Sequence, residues 1–443
     1  MKFIYGLNKS GQSIVKYLDN INEKYFCWDD DKKIKNNFIK LKNKNFLVHP
    51  DNLNYQMIKE VFVTPGISFK DNCLVLIKKN KIKLFRDLEF YSRLINNQKI
   101  IAVTGTNGKS TTTKLIGDIL KYNQINTFIG GNIGVPLLDF KTEKNLSNTH
   151  VIELSSFQLE SCPTFNPYIS ILLNISPDHL DRYKNYQEYI LQKEKIINLN
   201  EAGFNIISMD DKECRKIFKK YNKLNLIPIS LKPIKNGVYY KDQSIVDDYF
   251  EDNQIFKINK ISQSLFGLFN IQNILSAYVV NRILGLDLKK FIEVIKSFQG
   301  LPHRMERIFN NKEIQVINNS KATNVNATIN SINSYSNIFL IIGGRAKEKN
   351  FKKINKYKNK ISKIYIIGES AKEIFNQVKN EINCEIFKNL ENALNKILID
   401  KNKSISFKTV LFSPACTSFD QYDNFESRGK HFKKLINDII INE

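Results

Sequence analysis

The sequence predicts an α/β protein of three blocks, residues 1–97, 98–299 and 300–443, each a largely parallel sheet with helices packed on it. Three observations carry this reading. Short β-rich apolar runs alternate with helix-like segments from end to end, the pattern of strands joined by helical crossovers. No short-period repeat interrupts the alternation, so a solenoid is excluded. A glycine-rich turn, VTGTNGKSTTT (Val103 to Thr113), stands between an apolar run and a helix-like stretch, the position at which α/β chains hold phosphate.

The first block opens with a strand at Lys2-Phe-Ile-Tyr5, a glycine turn from Gly6 to Gly11 and a helix. A second strand, Tyr25-Phe-Cys-Trp28, ends at Asp29-Asp30-Asp31, and a later one, Glu60-Val-Phe-Val63, ends at Thr64-Pro-Gly-Ile67. This resembles half of a doubly wound nucleotide fold. Asn8 stands where the second glycine of a dinucleotide fingerprint would be, which argues against a dinucleotide. The second block has strands at Ile100 to Val103, Val151 to Leu154, Ile169 to Leu173 and Asn205 to Ser208, and closes with helices at Asn270 to Leu284 and Leu286 to Phe298. The third restarts at Ile314 to Ile317, Ile338 to Ile342, Ile364 to Ile367 and Thr409 to Phe412, and ends in an amphipathic helix, Phe425 to Ile440.

Composition removes several function classes. Apolar residues make up 42% and charged residues 25%, an ordinary globular balance. No apolar run approaches the ~18 residues of a membrane span, and the N-terminal segment lacks a signal-peptide pattern, so a cytoplasmic protein is expected. The six cysteines are scattered without a Cys-x-x-Cys pair and read as reduced packing thiols. The formal charge of +23 comes from 67 basic residues, of which nine are Arg, spread along the chain with no clustered stripe. That distribution suits anionic small substrates better than nucleic acid, and no nucleic-acid partner is expected.

In the glycine turn, backbone N–H groups of Gly105, Thr106, Asn107, Gly108 and Lys109 would form an anion nest. Lys109 would neutralise phosphate oxygens, and Ser110 would offer its hydroxyl to Mg²⁺. Val103 occupies the place of the standard first glycine and only Thr106 and Asn107 separate Gly105 from Gly108, so the loop alone leaves ATPase, kinase and ligase open. Glu153 and His179 fall at or just beyond strand ends, where ligands of open α/β sheets collect. With Ser110 they would make a mixed oxygen and nitrogen shell suited to Mg²⁺ or Mn²⁺. Lys193, in the helix-like Tyr189-Ile-Leu-Gln-Lys-Glu-Lys-Ile-Ile197, reads by itself as a solvated lysine. In the third block Leu301-Pro-His-Arg304, Asn319-Ser-Lys-Ala-Thr-Asn324, Gly343-Gly-Arg-Ala-Lys347 and Ser413-Pro-Ala-Cys-Thr-Ser-Phe-Asp420 put cationic and hydroxyl groups near strand ends, which suits an anionic substrate.

Taken together these segments are recognisable. VTGTNGKSTTT, GGNIG (Gly130 to Gly134), ELSSFQLE (Glu153 to Glu160), NISPDHLDRY (Asn174 to Tyr183), GLPHRME (Gly300 to Glu306), NSKATN and SPACTSFDQYDNFESRG (Ser413 to Gly429) occur in the order found in Mur ligases, and the chain resembles that family over essentially its whole length. The resemblance is greatest to the D-glutamate-adding branch. It implies a Rossmann-like N-terminal domain for the UDP substrate, a central P-loop ATPase domain and a Rossmann-like C-terminal domain for D-glutamate. It also implies an ATP-dependent amide ligase of peptidoglycan precursor synthesis, in which ATP phosphorylates the alanyl carboxylate of UDP-N-acetylmuramoyl-L-alanine and the D-glutamate amine displaces phosphate. The runner-up is another Mur-type or folylpolyglutamate-type amide ligase.

Position by position, the resemblance assigns Gly105, Thr106, Asn107, Gly108, Lys109, Ser110 and Thr111 to the ATP phosphates and one Mg²⁺. Glu153, His179 and a carbamylated Lys193 fall to a second Mg²⁺. Asn270 and Asn273 belong to the adenine side, with Arg304 near the γ-phosphate and Asn319 beside the ATP site. Asn132, Ser155 and His179 match contacts to the muramoyl substrate, and Lys9, Ser10, Asp29 and Gly66 match uridine and diphosphate contacts. Thr323, Lys347, Ser418, Phe419 and Phe425 match the D-glutamate pocket. Two departures stand out: Phe269 replaces a usual His, and Asn319 replaces a usual Asp. A monomer with a hinge at Gln299 to Pro302 is expected on the same ground.

Overall fold

Runs rich in Ile, Val and Phe build three separate sheets in the computed structural model, which describes residues 1–41, 46–95, 98–140, 149–180, 182–198, 203–250, 254–258, 260–402 and 407–441. The first sheet has four parallel strands in the order Tyr25–Trp28, Lys2–Tyr5, Glu60–Val63 and Lys83–Phe85. Its first helix, Lys9–Asn20, starts close against the strand: Gly6 has φ +100°, and a Cβ on Gly11 would lie 1.8 Å from the Gly6 carbonyl oxygen. Only glycine permits that approach at both positions.

The second sheet has nine strands. From one edge they are Ile255–Lys257, Ser244–Asp247, Val238–Lys241, Leu226–Ser230, Phe204–Ser208, Ile169–Leu172, Lys99–Thr104, Thr149–Glu153 and Thr127–Gly131. The strands from Val238–Lys241 to Thr127–Gly131 are parallel, and several are buried at every residue, as expected of a sheet covered on both faces. The antiparallel edge formed by Val238–Lys241, Ser244–Asp247 and Ile255–Lys257 goes beyond the parallel expectation. Its tight hairpin is made by Asp242 and Gln243, both at positive φ (+47° and +57°), a turn whose twist matches that of the flanking strands.

The third sheet orders Glu306–Asn310, Ile314–Asn318, Lys408–Phe412, Ile338–Gly343, Ile361–Ile367 and Cys384–Ile386, with only the first strand antiparallel to its neighbour. The last helix runs Phe425–Ile436 and then loosens into a wider turn over Asn437–Ile441, shorter than the single helix expected to Ile440.

Packing divides the chain into two compact units. One comprises Met1–Pro177, Arg182–Lys257 and Asn273–Phe291; the other comprises Asp178–Asp181, Ile258–Gln272 and Ile292–Glu443. The first two sheets share a unit because one apolar cluster runs from Ile4 to Leu226 and polar contacts cross between them, such as the Ser13 hydroxyl donating to Asp139 Oδ1 at 2.8 Å. Asn97, the expected boundary residue, lies outside the described residues. The core of the other unit is Ile-rich and lines both faces of the third sheet. No helix among the described residues is long and apolar enough to cross a membrane. All six cysteines are free, four of them buried, in keeping with packing thiols.

Candidate active site

The strand Lys99–Thr104 feeds the glycine turn, and the helix Lys109–Tyr122 leaves it. Gly108, the residue before the helix, has φ +87°, and a Cβ there would sit 2.4 Å from Asn273 Oδ1. The turn therefore needs glycine for both backbone and space. It is clasped from the next strand: Asn174 O accepts from Thr106 N (2.8 Å), Asn174 Oδ1 accepts from Asn107 N (2.8 Å), and Asn174 Nδ2 donates to Asn107 O (3.1 Å). Thr106 is anchored by Ser176 O and Tyr189 OH at 3.1 and 3.0 Å. Lys109 folds its ammonium onto the carbonyls of Gly105 and Thr106, 2.9 Å from each. Asn273 accepts from the Thr112 hydroxyl at 3.0 Å, which ties the expected adenine-side asparagine to the helix that begins the phosphate loop.

Strand register does the rest. Glu153 pairs with Val103 on one side and Gly131 on the other, so the end of its strand meets the start of the phosphate loop and the GGNIG turn. The Glu153 carboxylate, 2% exposed, receives the Ser110 hydroxyl on Oε2 and Asn132 Nδ2 on Oε1 at 2.8 Å. Ser110 and Glu153 thus form a buried polar pair that the exposed Asn132 reaches from the GGNIG turn. Lys193 corrects the solvated reading of its helix: it is 2% exposed, donates to Gly105 O at 2.7 Å and lies 5.0 Å from the centre of the Tyr189 ring. Four of the expected residues, Lys109, Ser110, Glu153 and Lys193, therefore gather on this loop and its neighbouring strand end.

In the same unit, Asp29 is buried and uses its carboxylate to accept from Leu7 N (2.7 Å) and Asp31 N (2.9 Å), which fixes the Gly6 turn; Lys9 and Gly66 are exposed. Ser155 donates from both N and Oγ to Gln158 Oε1 at 3.1 Å. Ser10 and Thr111 also lie in this unit, and the other unit holds the remaining expected residues. His179 has φ +53°, donates from its backbone N to Asp178 Oδ1 (2.9 Å), and has Nε2 3.6 Å from the Asp178 carboxylate. Lys347 reaches the same carboxylate at 3.5 Å. Asn270 donates to Phe266 O at 3.0 Å, and Arg304 N to Leu301 O at 3.2 Å. Asn319 accepts from Met305 N and donates to Ser413 Oγ, both at 3.2 Å, so its amide is used in both senses. Ser418 is buried, Thr323 and Phe425 are half-buried, and Phe419 is 62% exposed.

Two family models match the chain: the Mur ligase middle domain over residues 103–281, and the glutamate ligase domain of Mur ligases over residues 303–416. A UDP-N-acetylmuramoylalanine–D-glutamate ligase of Rickettsia prowazekii strain Madrid E is 38% identical over 440 residues, 98% of this chain and 96% of the relative. The chain belongs to the Mur ligase family. A ligase of the same description from Clostridioides difficile strain 630 is 34% identical, covering 98% of each chain. Among solved structures, a UDP-N-acetylmuramate–alanine ligase of Thermotoga maritima has a TM-score of 0.61 at 18% identity, covering 99% of each chain. A MurF ligase of the same organism, solved with ADP, has a TM-score of 0.62 at 17% identity and 98% coverage of each chain. These two likenesses establish the fold.

Several polar residues of this Mur ligase escaped sequence reasoning. Arg86, fully buried, donates to the carbonyls of Val63 (3.1 Å), Thr64 and Ile67 (2.9 Å each) and pairs with Glu160, while Arg182 donates to Gly66 O (2.9 Å) and Ile67 O (2.8 Å). Together they hold the Thr64-Pro-Gly-Ile67 turn. Beside Arg86, Asp87 lies buried between Gln158 Nε2 (3.4 Å) and Ser10, and burial, opposed by Arg86 and these hydrogen bonds, pushes its carboxyl up to about 6. In the other unit Arg428, 2% exposed, donates to Ser320 Oγ (3.0 Å), Ser320 O (2.8 Å) and Cys416 O (3.1 Å), and burial pulls its guanidinium down to about 10. Helical spacing was the available signal for Arg428, since Phe432, Leu435 and Ile436 on the same helix are buried.

Proposed function

We propose that this chain is an ATP-dependent ligase that joins D-glutamate to UDP-N-acetylmuramoyl-L-alanine in peptidoglycan precursor synthesis. The observation that carries the reading is a phosphate loop bearing Lys109 and Ser110, with Glu153 bonded to Ser110 and Asn132 bonded to Glu153, in a chain that aligns from end to end with D-glutamate ligases. Such a loop lowers the barrier to phosphoryl transfer chiefly by positioning and charge neutralisation. Lys109 and the N-terminus of the helix Lys109–Tyr122 offset charge on the phosphoryl group that passes to the alanyl carboxylate. The resulting acyl phosphate has a good leaving group, so the D-glutamate amine displaces phosphate and an amide remains. Asn132 and Gln158, through Ser155, hold the polar groups on the muramoyl side, and Arg428 fixes the Ser320 and Cys416 loops from which Thr323 and Ser418 follow in sequence.

Ser110 Oγ and the Glu153 carboxylate are hard oxygen donors in direct contact, a set that fits Mg²⁺. The residues assigned to two such ions are Ser110 for one, and Glu153, His179 and a carbamylated Lys193 for the other. Bound Mg²⁺ supplies Lewis-acid stabilisation of phosphoryl oxygens. Burial of Lys193 beside Gly105 O supports its carbamylation, since N-carboxylation turns a buried amine into an oxygen ligand. The same reading gives three domains, at 1–97, 98–299 and 300–443, a D-glutamate pocket of Thr323, Lys347, Ser418, Phe419 and Phe425, and a monomer working in the cytoplasm, where ATP and UDP-sugars are supplied. Phosphate release that needs both UDP-N-acetylmuramoyl-L-alanine and D-glutamate, and fails with L-glutamate, is the expected result. Release indifferent to the amino acid would refute it.

A further inference from the structure

We propose that Asp30, His49 and Cys73 form a binding site for Zn²⁺ in the first sheet's unit, separate from the phosphate loop. Each comes from a different connection of that sheet. Asp30 lies two residues past the strand Tyr25–Trp28, His49 caps the short helix Pro50–Asn52, and Cys73 lies in the short helix Asn72–Leu74, itself capped by Asp71. One carboxylate oxygen, one imidazole nitrogen and one sulfur lie within 4.8 Å of one another, the one such grouping of His, Cys and acidic residues among the described residues.

The spacing is close to that of a metal shell. Cys73 Sγ is 3.8 Å from Asp30 Oδ1 and 3.9 Å from Oδ2. Tetrahedral zinc, with Zn–S about 2.3 Å and Zn–O about 2.0 Å, places its sulfur and oxygen ligands roughly 3.5 Å apart. For this sulfur–oxygen pair, closing the shell takes shifts of a few tenths of an ångström; the Asp30 side chain is exposed, and His49 and Cys73 are half-buried.

The outer contacts suit ligation as well. The Tyr5 hydroxyl donates to Asp30 Oδ2 and Trp28 Nε1 to Asp30 Oδ1 at 2.9 Å, which orients the carboxylate. Against the desolvation that would raise it, these bonds and the nearby Lys35 charge hold the Asp30 carboxyl below the usual carboxylate value. The His49 ring stands edge-on to Trp28, centroids 4.9 Å apart, and its Nδ1 lies 3.5 Å from the Asp51 carboxylate. Here Nδ1 accepts from Asp51 N at 3.2 Å; ligation through Nε2 takes the tautomer with its proton on Nδ1, for which the Asp51 carboxylate is the acceptor, the carboxylate–histidine–metal arrangement that raises ligand basicity.

The donor set decides the metal. Thiolate, imidazole and carboxylate together select Zn²⁺ over Mg²⁺, which prefers oxygen and keeps its water. Three protein ligands leave a fourth position for water or another oxygen donor. Burial and the neighbouring carboxylates of Asp30 and Asp71 outweigh Tyr5 and raise the Cys73 thiol, so metal binding releases a proton and tightens as pH rises.

The test is titration of the chelator-treated full chain with Co²⁺ and with Zn²⁺. The expected result is one equivalent of Co²⁺ with a thiolate-to-cobalt charge-transfer band, displaced by Zn²⁺ and untouched by excess Mg²⁺. Cys73→Ser abolishes the band, and Asp30→Asn and His49→Gln each weaken Zn²⁺ binding by about tenfold or more, the scale of even outer-contact losses at metal sites. The urea midpoint of each variant, read by Trp28 fluorescence without metal, establishes that it is folded. Absence of a thiolate band in the wild type, survival of the band in folded Cys73→Ser, or unchanged Zn²⁺ affinity in folded His49→Gln would overturn the proposal.

Discussion

Asp87→Asn should change how stability depends on pH. Asp87 is wholly buried, and its folded-state pKa is about 6 against an ordinary 3.8. Its folded form thus holds a proton more tightly than its unfolded form between those values. Stability from this group is fully present below pH 3.8, falls as pH rises and levels off above pH 6. The shift of roughly 2.2 units at 1.36 kcal/mol per unit gives a total loss of about 3 kcal/mol. Summing the two titrations, roughly 1.4 kcal/mol of it falls between pH 5 and 7.5. Asparagine cannot titrate, so the difference between variant and wild type should move in favour of the variant by about that amount across the same window. The lost bond to Gln158, 3.4 Å away in the wild type, adds an offset that does not vary with pH. Trp28, the single tryptophan, lies in the same unit and reports its urea unfolding. If m is about 3 kcal/mol per molar, the relative midpoint shifts by roughly half a molar. Parallel midpoint curves for the two proteins would show that Asp87 is not the buried titrating group inferred from its surroundings.

Gly108→Ala should raise the KM for ATP on the order of a hundredfold. A left-handed backbone costs alanine about 1–2 kcal/mol, and displacing Asn273 from the Thr112 hydroxyl adds about 1. Calorimetric ATP binding within threefold of wild type would count against the loop geometry. Asn319→Asp keeps the bond from Met305 N and lets Ser413 turn its hydroxyl to donate, and it adds a carboxylate against the backbone N of Met305, the residue after Arg304. A charge-assisted bond gained at about 1 kcal/mol predicts a KM for ATP about fivefold lower; an unchanged or higher value removes that role. Lys193→Ala should lose activity and regain part of it with short carboxylates, whereas a fully active variant refutes the carbamate.

What the sequence made legible was local. Gly105, Gly108 and Lys109 are adjacent, so chain order alone places them on one loop, and Glu153 at a strand end follows from the rule for open sheets. Lys193 was misread in isolation, although Tyr189, Ile196 and Ile197 at helical spacing put it on the apolar face of its helix. Arg86, Glu160 and Arg182 could not be found this way: Arg86 meets Glu160 across 74 residues, and Arg182 meets Gly66 across 116. Polar partnerships of that span leave no periodic trace. The antiparallel edge was hidden for another reason, because Asp242-Gln243 lacks the glycine that usually announces a two-residue hairpin. For Asn319 the sequence showed a departure, and its contacts supply what the departure does: the amide joins Met305 to Ser413.

The fate of one oxygen atom tests the central claim most directly. UDP-N-acetylmuramoyl-L-alanine labelled with ¹⁸O in both carboxylate oxygens is turned over with ATP and D-glutamate, and the inorganic phosphate is analysed by mass spectrometry. An acyl phosphate formed at the Lys109 loop and opened by the D-glutamate amine delivers one labelled oxygen to each phosphate and leaves the other in the new amide. Unlabelled phosphate, or label recovered in AMP, would contradict it.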